Sequence, residues 1–391
     1  MTSPSIAILM PYAEHFAAER AGAIALCVKD ATAASRFRER IQIIGRPLAK
    51  PLPGFDYVGL EPAWAGLVGR NLGLAERLLR RLGGRRDVLV EVHNRPKVLH
   101  YLALRAPDLP LALHLHNDPT TMQGARSSVA RARILRHAQA VWCVSGFVRD
   151  RFLLGVDGEA SKAQVVPNGA RRDLASPPAK ERTVLFVGRL IEDKGPDHLV
   201  EALAAILPRH PDWRALVVGA SRPGGSQLPS RFESELRARA AGLGDAVRFA
   251  GFLPHDEVQD HFRRAAIVVV PSVWQEPFGR TAIESLAAGC AVIAYDRGAL
   301  GEILCGRAVL LDEASPVALA AALERVIGDP KLREDLQSRA WRDFPFGIEE
   351  TTAHHDDLRE ALLDRLAGDR APKAHVPGVV GARFRGRGPA R

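Results

Sequence analysis

The sequence predicts two doubly wound α/β domains, each built on a parallel sheet with helices on both faces. Short runs rich in β-branched residues alternate along the chain with longer amphipathic stretches, as is typical of parallel strands joined by helices. A chain of 391 residues also exceeds what one hydrophobic core normally supports. The composition breaks at the proline-containing segment 171–182, after which strand-like runs begin again. We therefore expect an N-terminal domain over 1–172, a linker over 173–182 and a second domain over 183–343.

The predicted elements follow one another in strand and helix order through both halves of the chain. Helical periodicity is evident over 21–37 and 127–139, each between two strand-like runs. In sheets of this kind ligands bind at the carboxyl ends of the strands, so the residues that follow each strand are candidates for a functional site. The strands are predicted at 5–10, 41–45, 88–92, 111–115, 140–144, 164–166, 183–188, 215–219, 247–251, 267–272, 291–295 and 308–311.

Composition is that of an ordinary soluble globular protein and excludes several other classes. The hydrophobic content is 47% and the charged content 25%, and no apolar run reaches the roughly 18 residues that a membrane-spanning helix needs. The first apolar run lacks a basic region before it, so it predicts a strand and not a secretory signal. The four cysteines are scattered without a C-x-x-C pair, which predicts neither a disulfide framework nor a zinc site. We therefore expect a cytoplasmic protein.

The net charge is +9, which is compatible with nucleic acid, anionic lipid or a phosphorylated substrate as a partner. Part of the excess lies in 77–86 and in the Gly-, Pro- and Arg-rich tail at 369–391, which is predicted to be disordered. No helix-turn-helix, RRM or zinc pattern accompanies the basic residues, so nucleic-acid binding is not expected. Weak peripheral attraction to the inner face of the cytoplasmic membrane remains open.

Two cations follow the first predicted strand of the second domain. Arg189 comes directly after the strand, and Lys194 lies in the loop before a helix whose first turn contains Pro196. A cation at a strand end and another at a helix N-terminus would converge on one anion. The alternative is that both are surface charges paired with Glu192 or Asp193, and the local sequence favours neither reading.

The segment 267–295 carries two carboxylates eight positions apart. Glu276 lies in the loop after a strand, and Glu284 lies inside the helix that follows. Gly279 permits close approach of the backbone to a ligand, and amides at the start of the helix are suited to a phosphate. The carboxylates are suited to hydroxyls of a sugar or ribose. A structural alternative exists for Glu284, because Thr281 and Glu284 have the spacing of a capping box.

Together these motifs resemble the signature of family 4 glycosyltransferases, which have the GT-B fold of two Rossmann-like domains facing a cleft. The resemblance covers most of the span 141–311. It implies a retaining enzyme that transfers a sugar from a nucleoside-diphosphate sugar to a glycan or glycolipid acceptor, and by association it suggests bacterial surface polysaccharide such as lipopolysaccharide core. Besides the E-x7-E spacing, the matching segments are VVPNGA at 165–170, FVGRLIEDKG at 186–195, VRFAGFLP at 247–254 and AAIVVVPS at 265–272.

The resemblance implies a role for each matching position on the donor side. Arg189 and Lys194 would bind the pyrophosphate and stabilise the departing nucleotide, whose negative charge develops in the transition state. Glu276 would hold hydroxyls of the donor sugar, and Glu284 the ribose. Many family members have an apolar residue where Arg280 stands, so the role of this side chain is open. Approach of the backbone to the donor is expected at Gly22, Phe278, Gly279, Arg280 and Thr281.

The first domain is expected to hold the acceptor. His116 directly follows the strand 111–115 and matches a family histidine near the reacting sugar, whereas His114 on the same face is expected to be structural. His93 and Asn94 end another strand and are expected acceptor contacts. The predicted catalytic residues are His116, Arg189, Lys194 and Glu276.

The segment 344–368 is predicted to be largely helical, and the resemblance implies that it crosses back onto the first domain. Residues 354–357 read His-His-Asp-Asp, but consecutive residues on a helix do not face one point, so a solvated polar face is predicted and not a metal site. The sequence has no D-x-D triplet, G-x-G-x-x-G fingerprint or P-loop. We therefore predict no metal and no cofactor, with cations and helix N-termini carrying the charge of the leaving group.

Other functions fit the same architecture. A nucleotide-sugar epimerase would interconvert sugars without an acceptor, and a non-catalytic subunit would bind the nucleotide sugar without transferring it. A phosphorylase would require a lysine in a pyridoxal-phosphate context, for which the sequence offers no support. The presence of all the predicted donor-binding charges argues against a non-catalytic subunit; these are Arg189, Lys194, Glu276 and Glu284.

Overall fold

The computed structural model describes residues 5–18, 20–221 and 228–368, so the tail predicted to be disordered at 369–391 lies outside the described residues. The described chain forms two parallel sheets flanked by helices, which confirms the predicted pair of doubly wound α/β domains. None of the helices in these ranges is both long and apolar enough to span a membrane.

Seven parallel strands form the N-terminal sheet, and in chain order they are β1 (Ser5–Leu9), β2 (Ile41–Gly45), β3 (Tyr57–Gly59), β4 (Val88–His93), β5 (Leu111–Leu115), β6 (Ala140–Cys143) and β7 (Ala163–Val165). Their order across the sheet is β3-β2-β1-β4-β5-β6-β7. The winding direction therefore changes between β1 and β4, where such sheets bind ligands. The helices of this half are α1 (Ala23–Ala34), α2 (Ala65–Val68), α3 (Arg70–Leu82), α4 (Pro96–Arg105), α5 (Ser128–His137) and α6 (Gly146–Leu153).

Six parallel strands form the second sheet, and in chain order they are β8 (Glu181–Val187), β9 (Arg214–Val218), β10 (Val247–Gly251), β11 (Ala265–Val270), β12 (Ala291–Tyr295) and β13 (Ala308–Leu311). Their order is β10-β9-β8-β11-β12-β13, so the winding direction changes between β8 and β11. The helices of this half are α7 (Pro196–Ile206), α8 (Arg231–Ala240), α9 (His255–Arg264), α10 (Arg280–Ala287), α11 (Leu300–Leu304), α12 (Pro316–Gly328), α13 (Pro330–Arg342) and α14 (Ile348–Gly368).

The central strands are apolar runs because both of their faces are covered. Every residue of β4, β11 and β12 is buried, as expected for strands inside a parallel sheet. The edge strand β3 was not predicted, because a run of three residues, two half-buried and one exposed, is too short to show a period. It forms by pairing with β2, with Tyr57 opposite Ile43. The second sheet begins at Glu181, two residues before the predicted strand.

Helix α14 packs against α1 of the N-terminal half through buried polar contacts. Asp356 accepts hydrogen bonds from the Ser35 hydroxyl and the Arg36 amide, both at 2.8 Å, and Arg359 forms a buried ion pair with Glu91 at 2.7 Å. The solvated polar face predicted for 354–357 is therefore wrong in part, because His355 and Asp356 are buried. Successive residues on a helix point about 100° apart, so two neighbours face the sheet while His354 and Asp357 face solvent.

Candidate active site

A cavity of about 470 Å³ opens between the two domains, where the loops after β1, β5, β8 and β11 face one another. This is the position that the changes of winding direction in the two sheets predict. Three of the predicted site residues, Gly22, His93 and Asn94, do not line this cavity. The predicted residues that the structure brings together around it are His116, Arg189, Lys194, Glu276, Phe278, Gly279, Arg280, Thr281 and Glu284.

Glu276 is the centre of the polar contacts at the end of β11. Its side chain is buried, and its Oε1 atom accepts hydrogen bonds from the Lys194 ammonium and from the Ser272 hydroxyl, the latter at 2.6 Å. The Lys194 ammonium also lies 4.9 Å from the centre of the Trp274 ring, a cation–π contact. These contacts hold a carboxylate and an ammonium side by side at the cavity wall, ready for a ligand with both hydroxyls and phosphates.

The loop after β8 carries Lys194 to the end of β11. This close approach requires glycine at position 195. Its φ is +63°, and a Cβ atom there would lie 2.0 Å from the carbonyl oxygen of Pro271. The predicted alternative of surface pairing is wrong for Lys194, whose ion-pair partner is Glu276. Arg189 is exposed at the cavity wall, and among the described residues no hydrogen bond or ion pair engages its guanidinium. Arg189 is therefore available to a ligand.

Helix α10 begins at Arg280 without a side-chain cap. The preceding residue, Gly279, has φ +97° and ψ 66°, so the first amides of the helix face the cavity without a side-chain partner, as an anion site requires. The capping box considered for Thr281 and Glu284 is wrong. The Thr281 hydroxyl donates to the carbonyl of Val187 at 3.3 Å, and the Glu284 carboxylate accepts from Arg280 at 2.7 Å.

Arg280 joins the two domains across the cavity. Its guanidinium donates to Glu284 on its own helix and, at 2.8 Å, to Asp30 on α1. Burial disfavours the charged guanidinium, but the charges of Glu284 and Asp30 outweigh this and raise the pKa of Arg280. His255 lies 3.8 Å from the Glu284 carboxylate, and burial lowers the pKa of this histidine. A neutral His255 leaves Arg280 as the cation that holds Glu284.

A cluster of histidines lies where β4 and β5 end. Nδ1 of His93 and Nε2 of His116 are 3.0 Å apart and share a hydrogen bond, and the Asn94 side-chain oxygen accepts from the His116 amide at 3.2 Å. His114 stacks on His116, with ring centres 4.5 Å apart and planes 12° from parallel. His93 and Asn94 therefore position His116, the member of the cluster that lines the cavity between the domains.

The imidazoles of this cluster are neutral at neutral pH. Burial lowers the pKa of His93, His114 and His116, and also that of His355, which packs edge-on against His114 at 5.4 Å. Nitrogen atoms of the first three rings lie within 4.8 Å of one another, as a metal site would need. The nearly parallel planes of His114 and His116 make their in-plane lone pairs run side by side, so these rings would have to rotate to hold one ion. The absence of a metal stays a prediction.

Gly22 makes room for a buried carboxylate and does not line the cavity itself. It precedes α1, and a Cβ atom at this position would lie 2.5 Å from Oε2 of Glu14. Burial raises the pKa of Glu14. The residues on either side, Ala21 and Ala23, do line the cavity, so the approach of this loop to a donor stays a prediction.

Sequence reasoning missed Asp30, Cys27 and His255, which all line or adjoin the cleft. His255 had a usable signal, because it follows β10 and starts α9, and strand ends were the places to search. Asp30 and Cys27 had none. They lie inside α1, and only their contact with Arg280, 250 residues away in the case of Asp30, assigns them to the site.

Comparisons with known proteins agree with this geometry. The family model described as "Glycosyl transferases group 1" matches residues 171–343. The lipopolysaccharide core biosynthesis mannosyltransferase LpsB of Rhizobium meliloti (strain 1021) is 31% identical over 277 residues, which span 68% of this chain and 72% of the relative. The D-inositol 3-phosphate glycosyltransferase of Nocardiopsis dassonvillei is 36% identical over 186 residues, 45% of this chain and 43% of that protein.

Solved structures share the whole architecture. The structure of Anabaena Alr3699/HepE in complex with UDP and glucose superposes with a TM-score of 0.73 at 20% identity, covering 91% of this chain and 99% of that one. Sucrose-phosphate synthase from Thermosynechococcus elongatus gives a TM-score of 0.72 at 24% identity, covering 92% and 100%. With this fold, this cleft and these relatives, the chain belongs to the group 1 glycosyl transferases, enzymes of the GT-B fold.

Proposed function

We propose that this glycosyltransferase is a retaining, metal-independent enzyme that moves a sugar from a nucleoside-diphosphate sugar onto a glycan or glycolipid acceptor. The observation that carries the proposal is the convergence of Arg189, Lys194 and the uncapped start of α10 on one cavity beside Glu276. A diphosphate needs positive charge and amide donors, and a sugar needs a carboxylate that accepts from hydroxyls.

In the proposed reaction the bond between the anomeric carbon and the nucleotide breaks as negative charge develops on the leaving phosphate. Arg189, Lys194 and the amides of α10 stabilise that charge more in the transition state than in the ground state. They supply positive charge that a divalent cation would otherwise provide. Glu276 and neutral His116 orient the sugar. The acceptor hydroxyl attacks from the leaving-group side and passes its proton to the departing phosphate oxygen, which preserves the anomeric configuration.

The biological setting is proposed from the relatives and the charge. LpsB is named for lipopolysaccharide core biosynthesis, and the net charge of +9 favours attraction to an anionic membrane surface. From these two observations we propose that this chain is a cytoplasmic enzyme that acts at the inner face of the membrane in the synthesis of a bacterial surface glycan. Among solved structures of the same fold, Alr3699/HepE is complexed with UDP-glucose, so UDP-sugars are the first donors to test.

A donor screen tests the proposal. Purified protein is incubated with UDP-, GDP- and ADP-sugars, with and without EDTA, and thermal stability and nucleotide release are recorded. We expect one donor to stabilise the protein and to be hydrolysed slowly despite EDTA, and we expect Arg189→Ala and Glu276→Gln to lower that rate by roughly a hundredfold. Glu192→Gln, which changes an exposed acid of the same loop as Lys194, is the matched control.

Four outcomes would contradict parts of the proposal. Loss of hydrolysis in EDTA would sink metal independence. A product of inverted anomeric configuration, read by NMR, would sink the retaining mechanism. A donor that is bound and interconverted to another sugar without an acceptor would favour the epimerase, and a donor bound without any turnover would favour the non-catalytic subunit.

A further inference from the structure

A second cavity, of about 420 Å³, lies in the N-terminal domain beyond the ends of β4 and β5. It is lined by the α2–α3 junction at 68–72, by the turn from β4 into α4 at 94–98, and by Met122 and Gln123. Asn94 belongs to its wall and accepts the hydrogen bond from the amide of His116, which lines the donor cavity. The second cavity therefore adjoins His116, and residues of the N-terminal domain line it.

The charged side chains that line this cavity among the described residues are all positive. Arg70, Arg95 and Lys97 line it, and no carboxylate does so among the residues that the structure describes. None of the three cations forms an ion pair within the described ranges. Arg95 uses one guanidinium nitrogen to donate to the carbonyl of Asn94 at 2.8 Å, which leaves its other donors free for a ligand. Three cations without an ion-pair partner around one cavity raise the local anion concentration.

The partial burial of Arg95 makes its positive charge costly in the absence of a ligand. Its side chain is half-buried, and burial lowers its pKa, although the charge of Glu14 opposes this effect. A guanidinium removed from water without a paired anion is costly, and an oxyanion held by its planar fork of donors relieves that cost. Lys97, exposed on the first turn of α4, adds a point charge, and the start of α4 lacks a side-chain cap.

The backbone at this wall is strained in a way that fits a binding role. Asn94 has φ +55°, a left-handed conformation that non-glycine residues rarely adopt. The hydrogen bond from its amide to the carbonyl of His114, 2.8 Å long, holds the turn in place. This turn sends the Asn94 side chain to His116 and presents Arg95 and Lys97 to the cavity. Strained residues of this kind concentrate at sites where a ligand is held.

We propose that this cavity binds an anionic substituent of the acceptor, a phosphate or a carboxylate, and so selects acidic acceptors. The inference rests on the proposed function, since it takes the His116 side of the cleft as the acceptor side. Arg95 binds the oxyanion with its fork of donors, Lys97 and Arg70 neutralise its remaining charge, and the acceptor hydroxyl is thereby directed toward His116.

The test uses the full chain with its donor cavity saturated by the nucleoside diphosphate found in the donor screen, so that phosphate cannot bind there. Inorganic phosphate is then titrated by calorimetry, followed by glucuronate and neutral glucose as separate arms. We expect phosphate or glucuronate to bind and glucose not to bind. The double variant Arg95→Gln with Lys97→Gln should weaken anion binding at least about fivefold. Arg136→Gln, which removes an exposed cation on α5, should leave anion binding unchanged.

The single variant Lys97→Gln, at an exposed position, repeats the test if the double variant unfolds. The absence of anion binding in the presence of nucleotide, or equal binding by the variants, would overturn the inference while leaving the donor site intact. Failure of every nucleotide to bind would instead count against the proposed function. Vesicles containing phosphatidylglycerol form the last arm. Binding to vesicles that depends on Lys97, without binding of soluble phosphate or glucuronate, would reassign the cations to a membrane surface and overturn the acceptor subsite.

Discussion

At the scale of single residues, Arg280 couples Glu284 to the contact between the domains. One side of its guanidinium fixes Glu284, the predicted ribose ligand, and the other side reaches Asp30 on the opposite domain. An apolar residue here would leave Glu284 held by no cation except a protonated His255. Arg280 is therefore a positioning residue, and its effect should be visible in how the enzyme distinguishes ribose from deoxyribose.

We predict that Arg280→Leu lowers the preference for a ribonucleotide over its deoxy analogue by about three- to tenfold, because a charge-assisted hydrogen bond contributes about 1.5–3 kcal/mol and part of it is lost when Glu284 is free to move. Asp30→Ala removes the contact with the other domain and leaves the ion pair of Arg280 with Glu284 in place, so it should retain that preference and change kcat. Inhibition constants for the paired nucleotides measure the preference, and steady-state kinetics measures kcat. Equal discrimination by Arg280→Leu and the unaltered enzyme would contradict this role.

The buried histidines predict how stability depends on pH. Burial holds the pKa of His93, His114 and His116 below the ordinary value of 6.5, whereas in the unfolded chain they titrate near that value. Below pH 6.5 the unfolded state therefore binds more protons than the folded state, and stability falls as pH falls. Each histidine that stays neutral on folding contributes a slope of about 1.4 kcal/mol per pH unit.

Urea unfolding between pH 7.5 and about 5.5 measures this slope, over a range well above the ordinary titration of carboxylates. His114→Leu removes one buried imidazole and should flatten the curve by up to that amount. His137→Gln, an exposed histidine at the end of α5, should leave the slope unchanged. A slope in His114→Leu that matches the unaltered protein would show that His114 is protonated in the folded state.

At the scale of elements, the N-terminus of α6 is bound by the other domain. The Ser145 side chain caps its own helix and donates to the carbonyl of Pro277 at 2.6 Å. The carboxylate of Glu302 accepts from the amides of Gly146 and Phe147 at 2.9 and 3.2 Å. A negative charge at a helix N-terminus is stabilising, and here that charge comes from α11 across the cleft. The start of α6 is therefore part of the contact that keeps the domains together.

We predict that Glu302→Ala lowers the free energy of unfolding by about 0.5–1 kcal/mol, a modest value because the site is exposed and screened by salt. It should also shift the solution ensemble toward a more open arrangement, which small-angle scattering detects as a larger radius of gyration. Glu313→Ala, at an exposed acid outside this contact, is the control. An unchanged radius with unchanged stability would show that the cap does not hold the cleft.

The sequence predicts an element or a contact well when the residues that determine it lie close together along the chain. The strand runs and the loop with Glu276 were readable because β-branched runs and strand ends carry their signal within a few residues. The capping box at Thr281 was wrong because the N-cap of α10 is Gly279, two residues earlier, and Arg280 binds the carboxylate of Glu284. The second cavity was not foreseen, since its cations come from two separate turns and only the fold brings them together.

At the scale of the whole molecule, α14 is attached to the first domain by charges buried in its core. Arg359 on α14 and Glu91 in β4 are 268 residues apart and almost inaccessible to solvent. Burial disfavours the Glu91 carboxylate, but the charge of Arg359 and the two hydrogen bonds that Arg359 donates outweigh it and hold the pKa of Glu91 far below its usual range. The histidine cluster beside the cleft therefore lies next to the ion pair that holds α14 in place, with His93 4.0 Å from Glu91.

We predict that Arg359→Met destabilises the protein by about 3–5 kcal/mol, because it leaves the Glu91 carboxylate buried without its cation. Arg359→Met combined with Glu91→Gln should recover part of that loss, since Asp356 is then the buried carboxylate that has lost its cation and it keeps its hydrogen bonds from Ser35 and Arg36. Denaturant unfolding of the four proteins of the cycle measures the coupling. Arg365→Met, an exposed arginine near the end of α14, should cost little. If the pair served stability alone, the double variant would keep full transferase activity. Because Glu91 lies 4.0 Å from His93 and His93 in turn holds His116, we expect the double variant to fold and yet to lose kcat.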